Sequence, residues 1–278
     1  MIHKATLKEE IRISGVGVHS GEPVKLWLKP SVAGKIVFRR IDLDDREFEL
    51  DPAFIEAKYC TTLVTGSGKI HTIEHLMAVL FMAGVDSLVI EVKGSEIPIL
   101  DGSARIFAEA VAEAGLANLL EQKQIFKITK GFCLQEKDAV IEVFPDTCFR
   151  MTYMIDFEHP AIGKQELSLV LEPAVFLQEI APARTFGFLK DVPFLREQGF
   201  ALGGSLENAL VLDDTKVING PLRFPDEFVR HKILDLIGDF SLLGAPILGH
   251  IKARKAGHSL HQKAVRYLLE HPDHFNLS

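Results

Sequence analysis

Three side chains that can bind a metal ion or a proton lie four residues apart in FVRHKILDLIGDF at residues 228–240. They are His231, Asp235 and Asp239. Apolar residues between them recur at helical spacing, so we expect a helix over residues 225–243. At 3.6 residues per turn, side chains four positions apart lie on one helix face. An imidazole and a carboxylate one turn apart can reach the same metal ion, which makes this helix half of a candidate metal site.

The other half is expected in HTIEHL at residues 71–76, in the first long helix. Glu74 and His75 are adjacent, so their side chains point about 100° apart around the helix axis. His75 can then bind a metal ion while Glu74 reaches a water on that ion. Catalytic zinc sites use three protein ligands and leave the fourth position to water, and His75, His231 and Asp235 would supply the three. Glu74 would be the general base.

A further histidine, His258, follows a glycine at the start of the predicted last helix. The helix dipole disfavours its protonated form there, whereas a nearby carboxylate favours it. Asp239, two turns along from His231, is the candidate carboxylate. A protonated His258 would serve as general acid or oxyanion stabiliser; the alternative is a simple helix cap. Lys232 and Lys255 could bind phosphate, although isolated lysines are usually only solvated.

Two other interpretations use the same residues. His71, Glu74 and His75 match the H-x-x-E-H pattern of inverted zinc peptidases, in which both histidines bind zinc from one helix. That site needs a downstream glutamate, and Glu142 is the candidate, although it stands in the strand pattern AVIEVF. The remaining interpretation is a binding module without metal, in which the histidine and aspartate of the second helix form only a solvated pair.

The composition is that of an ordinary globular protein and argues against several other classes. The 278 residues are 47% hydrophobic and 25% charged, which is enough for an ample core. A net charge of −7 without any basic stretch argues against a general nucleic-acid binder. The longest apolar run, at residues 76–84, is shorter than the ~18–20 residues of a membrane helix, and no secretory signal is evident. Three widely spaced cysteines suggest a reduced, cytoplasmic protein, and we expect a monomer rather than an oligomer.

The order of predicted elements favours an α+β fold with two similar lobes. His75 and His231 each lie near the start of a helix that ends at a glycine and is followed by a strand, a loop and another helix. We expect each lobe to be a mostly antiparallel sheet packed on two helices, with the site between the lobes. A polar stretch near residue 121 divides the chain into lobes of residues 1–121 and 122–278.

Two glycine-containing turns are predicted in the first lobe. The stretch at residues 14–23 lacks the third glycine and the following helix of a dinucleotide-binding turn, which excludes that function. It is either a tight connection or a turn that carries His19 into the site. The second turn is expected at residues 66–68.

Nine stretches, in one order along the chain, carry a resemblance to a known family. They are SGVGVHSG (14–21), CTTL (60–63), TIEHL (72–76), EIPILDGSA (96–104), DFEHPAI (156–162), ARTFGF (183–188), LGGS (202–205), EFVRHKILDLIGD (227–239) and KAGH (255–258). Together they resemble the zinc-dependent UDP-3-O-acyl-N-acetylglucosamine deacetylases of lipid A biosynthesis.

The resemblance implies a two-domain α+β sandwich that hydrolyses the N-acetyl group of an acylated UDP-sugar and releases acetate, with one catalytic zinc ion. Two histidines and an aspartate can also hold Fe²⁺. The implied metal ligands and general base are those found above, His75, His231, Asp235 and Glu74. By resemblance, His258 is oriented by Asp239 and protonates the leaving amine or stabilises the developing charge. Thr185 would help to hold the oxyanion.

The resemblance also implies contacts with the substrate. Lys232 and Lys255 would lie near its phosphate and sugar parts, and Phe186 and Asp191 match further substrate contacts. The residues that match positions near the metal, which can engage excess zinc or ligand, are His19 and Cys60.

An insert at about residues 156–188 is implied to form the wall of an apolar passage for the O-acyl chain. The candidate wall residues are Ile162, Leu167, Leu169, Val170, Leu171 and Phe188. One departure from the family pattern is His71, where a small polar residue is expected. It is either a surface residue or a stray metal ligand beside the site.

Overall fold

A computed structural model describes residues 2–43, 46–65 and 68–278, and it combines helices with mostly antiparallel sheets. The predicted α+β fold class is therefore confirmed. The turn expected at residues 66–68 lies mostly outside the described residues. None of the helices in the described part of the chain has the length and apolar character that a membrane span requires.

The first lobe is built on a five-stranded sheet. Its elements are β1 (His3–Leu7), β2 (Ile11–Val16), β3 (Pro23–Pro30), β4 (Ile36–Arg40), β5 (Arg46–Glu49), β6 (Ile55–Ala57), β7 (Thr61–Thr65), β8 (Gly68–Ile70), α1 (Glu74–Ala83), β9 (Leu88–Lys93), α2 (Arg105–Ala114) and β10 (Leu116–Gln122). The sheet has the order β2-β3-β9-β4-β5, in which β4 and β9 run parallel and the other neighbours antiparallel. Strands β6, β7 and β8 form a separate small sheet, and β1 pairs with β10.

The second lobe is built on a seven-stranded sheet. Its elements are β11 (Phe126–Ile128), β12 (Phe132–Glu136), β13 (Ala139–Phe144), β14 (Phe149–Phe157), β15 (Gly163–Val170), α3 (Pro173–Val175), β16 (Phe186–Phe188), α4 (Val192–Glu197), β17 (Leu210–Leu212), α5 (Glu227–Phe240), β18 (Ile247–Arg254), α6 (His258–Glu270) and β19 (Phe275–Leu277). Strand β18 is central, because β11, β13 and β14 all pair with it. The division between residues 121 and 122 stays a prediction.

The sequence pattern accounts for how the strands and helices begin and end. Strand β14 alternates between buried and half-buried residues along most of its length, as expected for a strand with one face on the core. Helix α1 ends at Gly84, whose φ of 80° is left-handed and favours glycine. The sequence pattern predicts this helix over about residues 72–83, whereas it begins at Glu74. Thr72 adopts a left-handed φ of 60°, which an α-helix cannot include.

The two lobes meet where helix α1 packs against helix α5. A Cβ atom on Gly238 of α5 would lie 2.1 Å from the carbonyl oxygen of Glu74, so the two backbones touch without a side chain between them. Most of both helices is buried, including the apolar residues of α5 that the pattern assigned to a core. Gly238 is therefore required for the close approach of the lobes rather than for an unusual backbone angle.

We expect Gly238→Ala to lower the free energy of unfolding by about 3 kcal/mol or more, because an added methyl group must push two helix backbones apart. Alanine has the higher helix propensity, so propensity alone predicts the opposite sign. Urea unfolding measures the change. The control is Gly187→Ala, where an added Cβ meets no atom within 4 Å; equal effects of the two substitutions would contradict the packing explanation.

Candidate active site

His75, His231 and Asp235 converge where α1 meets α5. All three are buried, and their ligand atoms lie within 4.8 Å of one another. Nε2 of His231 is 3.4 Å from Oδ1 of Asp235, and Nε2 of His75 is 3.6 Å from the same oxygen. His231 Nδ1 donates to the carbonyl of Ala183 at 3.1 Å, which leaves its Nε2 lone pair available to a metal. Two imidazoles and a carboxylate suit Zn²⁺ or Fe²⁺, so these residues fit the expected ion.

Charge and burial keep these ligands in the forms that bind metal. Burial lowers the pKa of His231 to about 3, although the Asp235 carboxylate would raise it, so the imidazole is neutral. Burial alone would raise the pKa of Asp235, but the ammonium of Lys232, at 2.7 Å from its Oδ2, holds it well below its usual range. A neutral imidazole and an ionised carboxylate are what metal coordination requires.

Glu74 and His258 face each other beside the three ligands. Oε1 of Glu74 lies 3.8 Å from Nε2 of His258. Burial raises the pKa of Glu74 to about 7, against the opposing charge of His258. Burial alone would lower the pKa of His258, but the neighbouring Asp239 carboxylate raises it to about 9. Near neutral pH, Glu74 can accept a proton and His258 holds one, the arrangement of a base and an acid.

Asp239 lies behind His258 and is completely buried. Its Oδ2 accepts from Nδ1 of His258 and from Nδ1 of His261, each at 2.7 Å. Its Oδ1 accepts from Nε2 of Gln262 at 3.1 Å and from the hydroxyl of Thr61. Burial alone would raise the pKa of Asp239, but its bonds to the two histidines lower it below its ordinary range. Asp239 is thus a permanent anion that orients His258.

A cavity of about 400 Å³ opens beside these groups. Nine of the candidate catalytic, metal-binding and substrate-contact residues line it, namely His19, Glu74, His75, Thr185, Phe186, His231, Lys232, Asp235 and His258. The first lobe contributes three of them and the second lobe the other six. The structure therefore brings most of the sequence-derived candidates to one place.

Four candidates do not line this cavity. Asp239 lies one layer behind it. Cys60 is buried, and its pKa is raised to about 12 by that burial and by Glu74, so it remains a thiol. Lys255 forms an ion pair with Asp156 at 2.9 Å. The fourth is Asp191, an exposed residue that directly precedes helix α4.

The wall of the cavity differs from the one expected. Of the six candidate wall residues, Phe188 lines the cavity and the other five do not. Leu167 and Leu169 of strand β15 pack against the core instead, and Ile162 and Leu171 are part of that core. The apolar wall comes mainly from the chain between β16 and β17. Sequence reasoning missed Leu189, Val192, Leu195 and Leu206 in that stretch, and Val211 in β17.

The geometry required for an inverted peptidase site is not present in the described residues. His71 and His75 do not share a helix, because α1 begins at Glu74. Nδ1 of His71 is 2.9 Å from the hydroxyl of Thr62. Glu142 lies in strand β13 opposite Lys252 and does not line the cavity. The alternative interpretation, in which His71 and His75 bind one ion from a single helix, is therefore wrong.

The loop ARTFGF is held in place by a buried ion pair. Glu227, in the first turn of α5, accepts from the backbone N–H of Arg184 at 3.0 Å and from its guanidinium Nε at 2.9 Å. It also accepts from the N–H of Arg223. These bonds fix Ala183, whose carbonyl meets His231, and Thr185, which faces the cavity.

Comparison with known proteins gives one family for the whole chain. The sequence model of LpxC, UDP-3-O-acyl N-acetylglycosamine deacetylase, matches residues 4–270. A protein named UDP-3-O-acyl-N-acetylglucosamine deacetylase from Thermodesulfovibrio yellowstonii is 45% identical over 275 residues, covering 97% of this chain and 93% of that protein. Proteins of the same name from Histophilus somni and Geotalea uraniireducens are 43% and 42% identical, and they cover 98% and 100% of this chain and 92% of each relative.

We expect Glu227→Gln to lower the free energy of unfolding by about 2 kcal/mol at neutral pH, since it removes charge from a buried, hydrogen-bonded pair. Burial alone would raise the pKa of Glu227, but Arg184 and the two backbone donors lower it. A carboxyl group whose pKa is lowered by folding stabilises the fold at pH values above its pKa in the unfolded chain, about 4.3. That stabilisation is lost as the pH falls through the pKa in the folded protein. The difference in free energy of unfolding between wild type and variant should therefore become smaller below about pH 4.5.

Urea unfolding at a series of pH values measures this gap. Glu179→Gln is the matched control, because it breaks a more exposed pair with Arg230 and should cost less than about 1 kcal/mol. A gap for Glu227→Gln that stays constant from neutral to acidic pH would show that the ion pair is not its source.

Proposed function

The chain belongs to the UDP-3-O-acyl N-acetylglycosamine deacetylase family, and we propose that it hydrolyses the N-acetyl group of UDP-3-O-acyl-N-acetylglucosamine and releases acetate. One observation supports this most directly. Three buried candidate metal ligands, a carboxyl group with a raised pKa and a histidine paired with a buried aspartate border the same cavity. Amide hydrolysis needs this combination of an electrophilic centre, a base and an acid.

His75, His231 and Asp235 would hold one Zn²⁺, and the same donors would accept Fe²⁺. When bound, the ion supplies a Lewis acid that polarises the acetamide carbonyl and makes water more acidic. The hydrogen bond from His231 to Ala183 and the ion pair between Lys232 and Asp235 hold two of the ligands in orientation.

Glu74 takes a proton from the attacking water in the proposed reaction. Its pKa of about 7 suits a base that must both accept and return a proton near neutral pH. His258, protonated beside Asp239, donates to the leaving amine nitrogen or stabilises the charge on the oxygen. Thr185 lies on the cavity wall, where its hydroxyl can donate to the developing oxyanion.

The cavity also supports an acylated sugar nucleotide as the substrate. Its wall beyond the polar groups is apolar and includes Phe188, Leu195 and Leu206, which suits an acyl chain. Phe186 and Lys232 line the same cavity, with the Lys232 ammonium 5.9 Å from the centre of the Phe186 ring, which suits the expected sugar and phosphate contacts. Contacts of Lys255 and Asp191 with the nucleotide, and of His19 and Cys60 with excess metal, remain predictions.

The wider biological assignment is also part of the proposal. We propose that this reaction serves lipid A biosynthesis in the cytoplasm of a bacterium with a Gram-negative envelope. The monomeric state and the acyl-chain insert at about residues 156–188 stay predictions from the sequence.

We expect Glu74→Gln to lower acetate release about a thousandfold while bound metal stays at the wild-type level, because the amide cannot act as a base and Glu74 is not among the three ligands. Acetate release from the acylated UDP-sugar and metal analysis of the same sample measure both quantities. Glu109→Gln, on the exposed side of α2, is the control and should leave both unchanged. Full activity in Glu74→Gln would eliminate Glu74 as the base.

We expect Asp235→Ala to lose the metal ion, since two imidazoles alone bind zinc weakly and Lys232 would be left unpaired beside them. His71→Ala should keep one ion per chain, because His71 lies outside the ligand cluster. Metal analysis after dialysis against a weak chelator compares the two variants. Retention of metal by Asp235→Ala together with loss by His71→Ala would instead favour the peptidase-type site.

A further inference from the structure

Thr61 links the two halves of the site, and none of the roles described so far uses it. It begins strand β7 in the first lobe and is 1% exposed. Its backbone N–H donates to Oε2 of Glu74 at 3.1 Å. Its hydroxyl donates to Oδ1 of Asp239 on helix α5 of the second lobe. One residue therefore contacts both the proposed base and the carboxylate behind the proposed acid.

The direction of these hydrogen bonds follows from the groups involved. An ionised carboxylate only accepts, so the hydroxyl hydrogen of Thr61 points at Asp239. The lone pairs of the same hydroxyl then face Nδ1 of His258 at 3.2 Å. The proton on that nitrogen is directed at Oδ2 of Asp239 at 2.7 Å. Hydroxyl, carboxylate and imidazole form a closed triangle in which each group is held by the other two.

We propose, on the basis of the function proposed above, that Thr61 is a positioning residue that fixes the Asp239–His258 pair relative to Glu74. Its backbone sets the position of the base, and its hydroxyl sets the position of the acid. The two proton-transfer groups come from different lobes, so a bond that spans the lobes is needed to hold their separation. Thr61 supplies that bond through side chain and main chain together.

Loss of the hydroxyl would change the environment of Asp239 in a defined way. Its Oδ1 would keep the donor of Gln262 at 3.1 Å, while Oδ2 keeps both histidines. Oδ1 would then keep one donor in place of two, inside a buried site where a lost partner is not replaced by water. His258 would lose a neighbour at 3.2 Å and the constraint on its ring.

Valine and threonine have nearly the same shape, so Thr61→Val removes the hydroxyl without opening a cavity. The backbone N–H to Glu74 remains. We expect kcat for acetate release to fall at least about tenfold with KM within about twofold of wild type, since only the alignment of the acid changes. Thr61→Ser, which keeps the hydroxyl, should recover most of kcat. Metal content should be equal in all variants.

Thr62→Val is the matched control, because Thr62 is also buried, at 5% exposed, and its hydroxyl contacts His71 and Cys60 rather than Asp239 or His258. Thr62→Val should leave kcat for acetate release unchanged. A wild-type kcat in Thr61→Val would overturn the proposal. So would equal losses in Thr61→Val and Thr62→Val, or a loss confined to KM, because each would indicate only a general structural role.

A second measurement does not depend on turnover. The proton shared by His258 and Asp239 should give a downfield ¹H NMR resonance in the metal-loaded protein, assigned by its absence in His258→Gln. Thr61→Val should shift or broaden it, whereas Thr62→Val should not. An unaltered resonance in Thr61→Val would overturn the proposal. If the wild type releases no acetate, the proposed function fails while this resonance still decides the role of Thr61.

Discussion

The contact between the backbones of α1 and α5 at Gly238 is the constraint on which the site depends. With no side chain at this position, the carbonyl of Glu74 reaches the surface of α5. The first two residues of α1 are then held beside the face of α5 that carries Asp235 and Asp239. His75 can share a ligand cluster with groups from a helix more than 150 positions away in sequence only because the backbones come this close. The lobes are therefore not independent units joined at a cleft, since their core contact and their chemistry use the same residues.

Three carboxyl groups are buried within this small region, and their different partners give them different properties. Asp235 has the ammonium of Lys232 at 2.7 Å. Asp239 accepts from four donors. Glu74 receives one backbone N–H at 3.1 Å, from Thr61, and among the described residues no cation is as close to it as Lys232 is to Asp235. Burial opposes ionisation in all three, but only in Glu74 does it prevail and raise the pKa. Two carboxylates thus remain permanent anions, and the third can exchange a proton near neutral pH.

The sequence predicted what depends on local spacing and on the family resemblance. The step of four residues from His231 to Asp235 and Asp239, the helix that carries them and the α+β class all follow from short-range patterns. The residues of the cavity wall could not be predicted in this way, because alternation in strand β15 does not tell which side faces the core and which faces a ligand. Thr61 and His261 were also missed as partners of Asp239. Thr61 is 178 positions from Asp239 in sequence, and only the folded chain brings them together.

The short segment Ala183 to Thr185 shows how closely the parts of the site are coupled. The carbonyl of Ala183 fixes which nitrogen of His231 is free for a metal ion. Arg184, the next residue, is bound to Glu227 on the same helix as His231. Thr185 then faces the cavity as the proposed oxyanion donor, with its N–H bound to the carbonyl of Gly102 at 2.8 Å. The proposed metal ligand His231 and the proposed oxyanion donor Thr185 thus both depend on three consecutive residues anchored by one ion pair. A shift of this segment would move the Thr185 hydroxyl and the carbonyl that orients the His231 ring together.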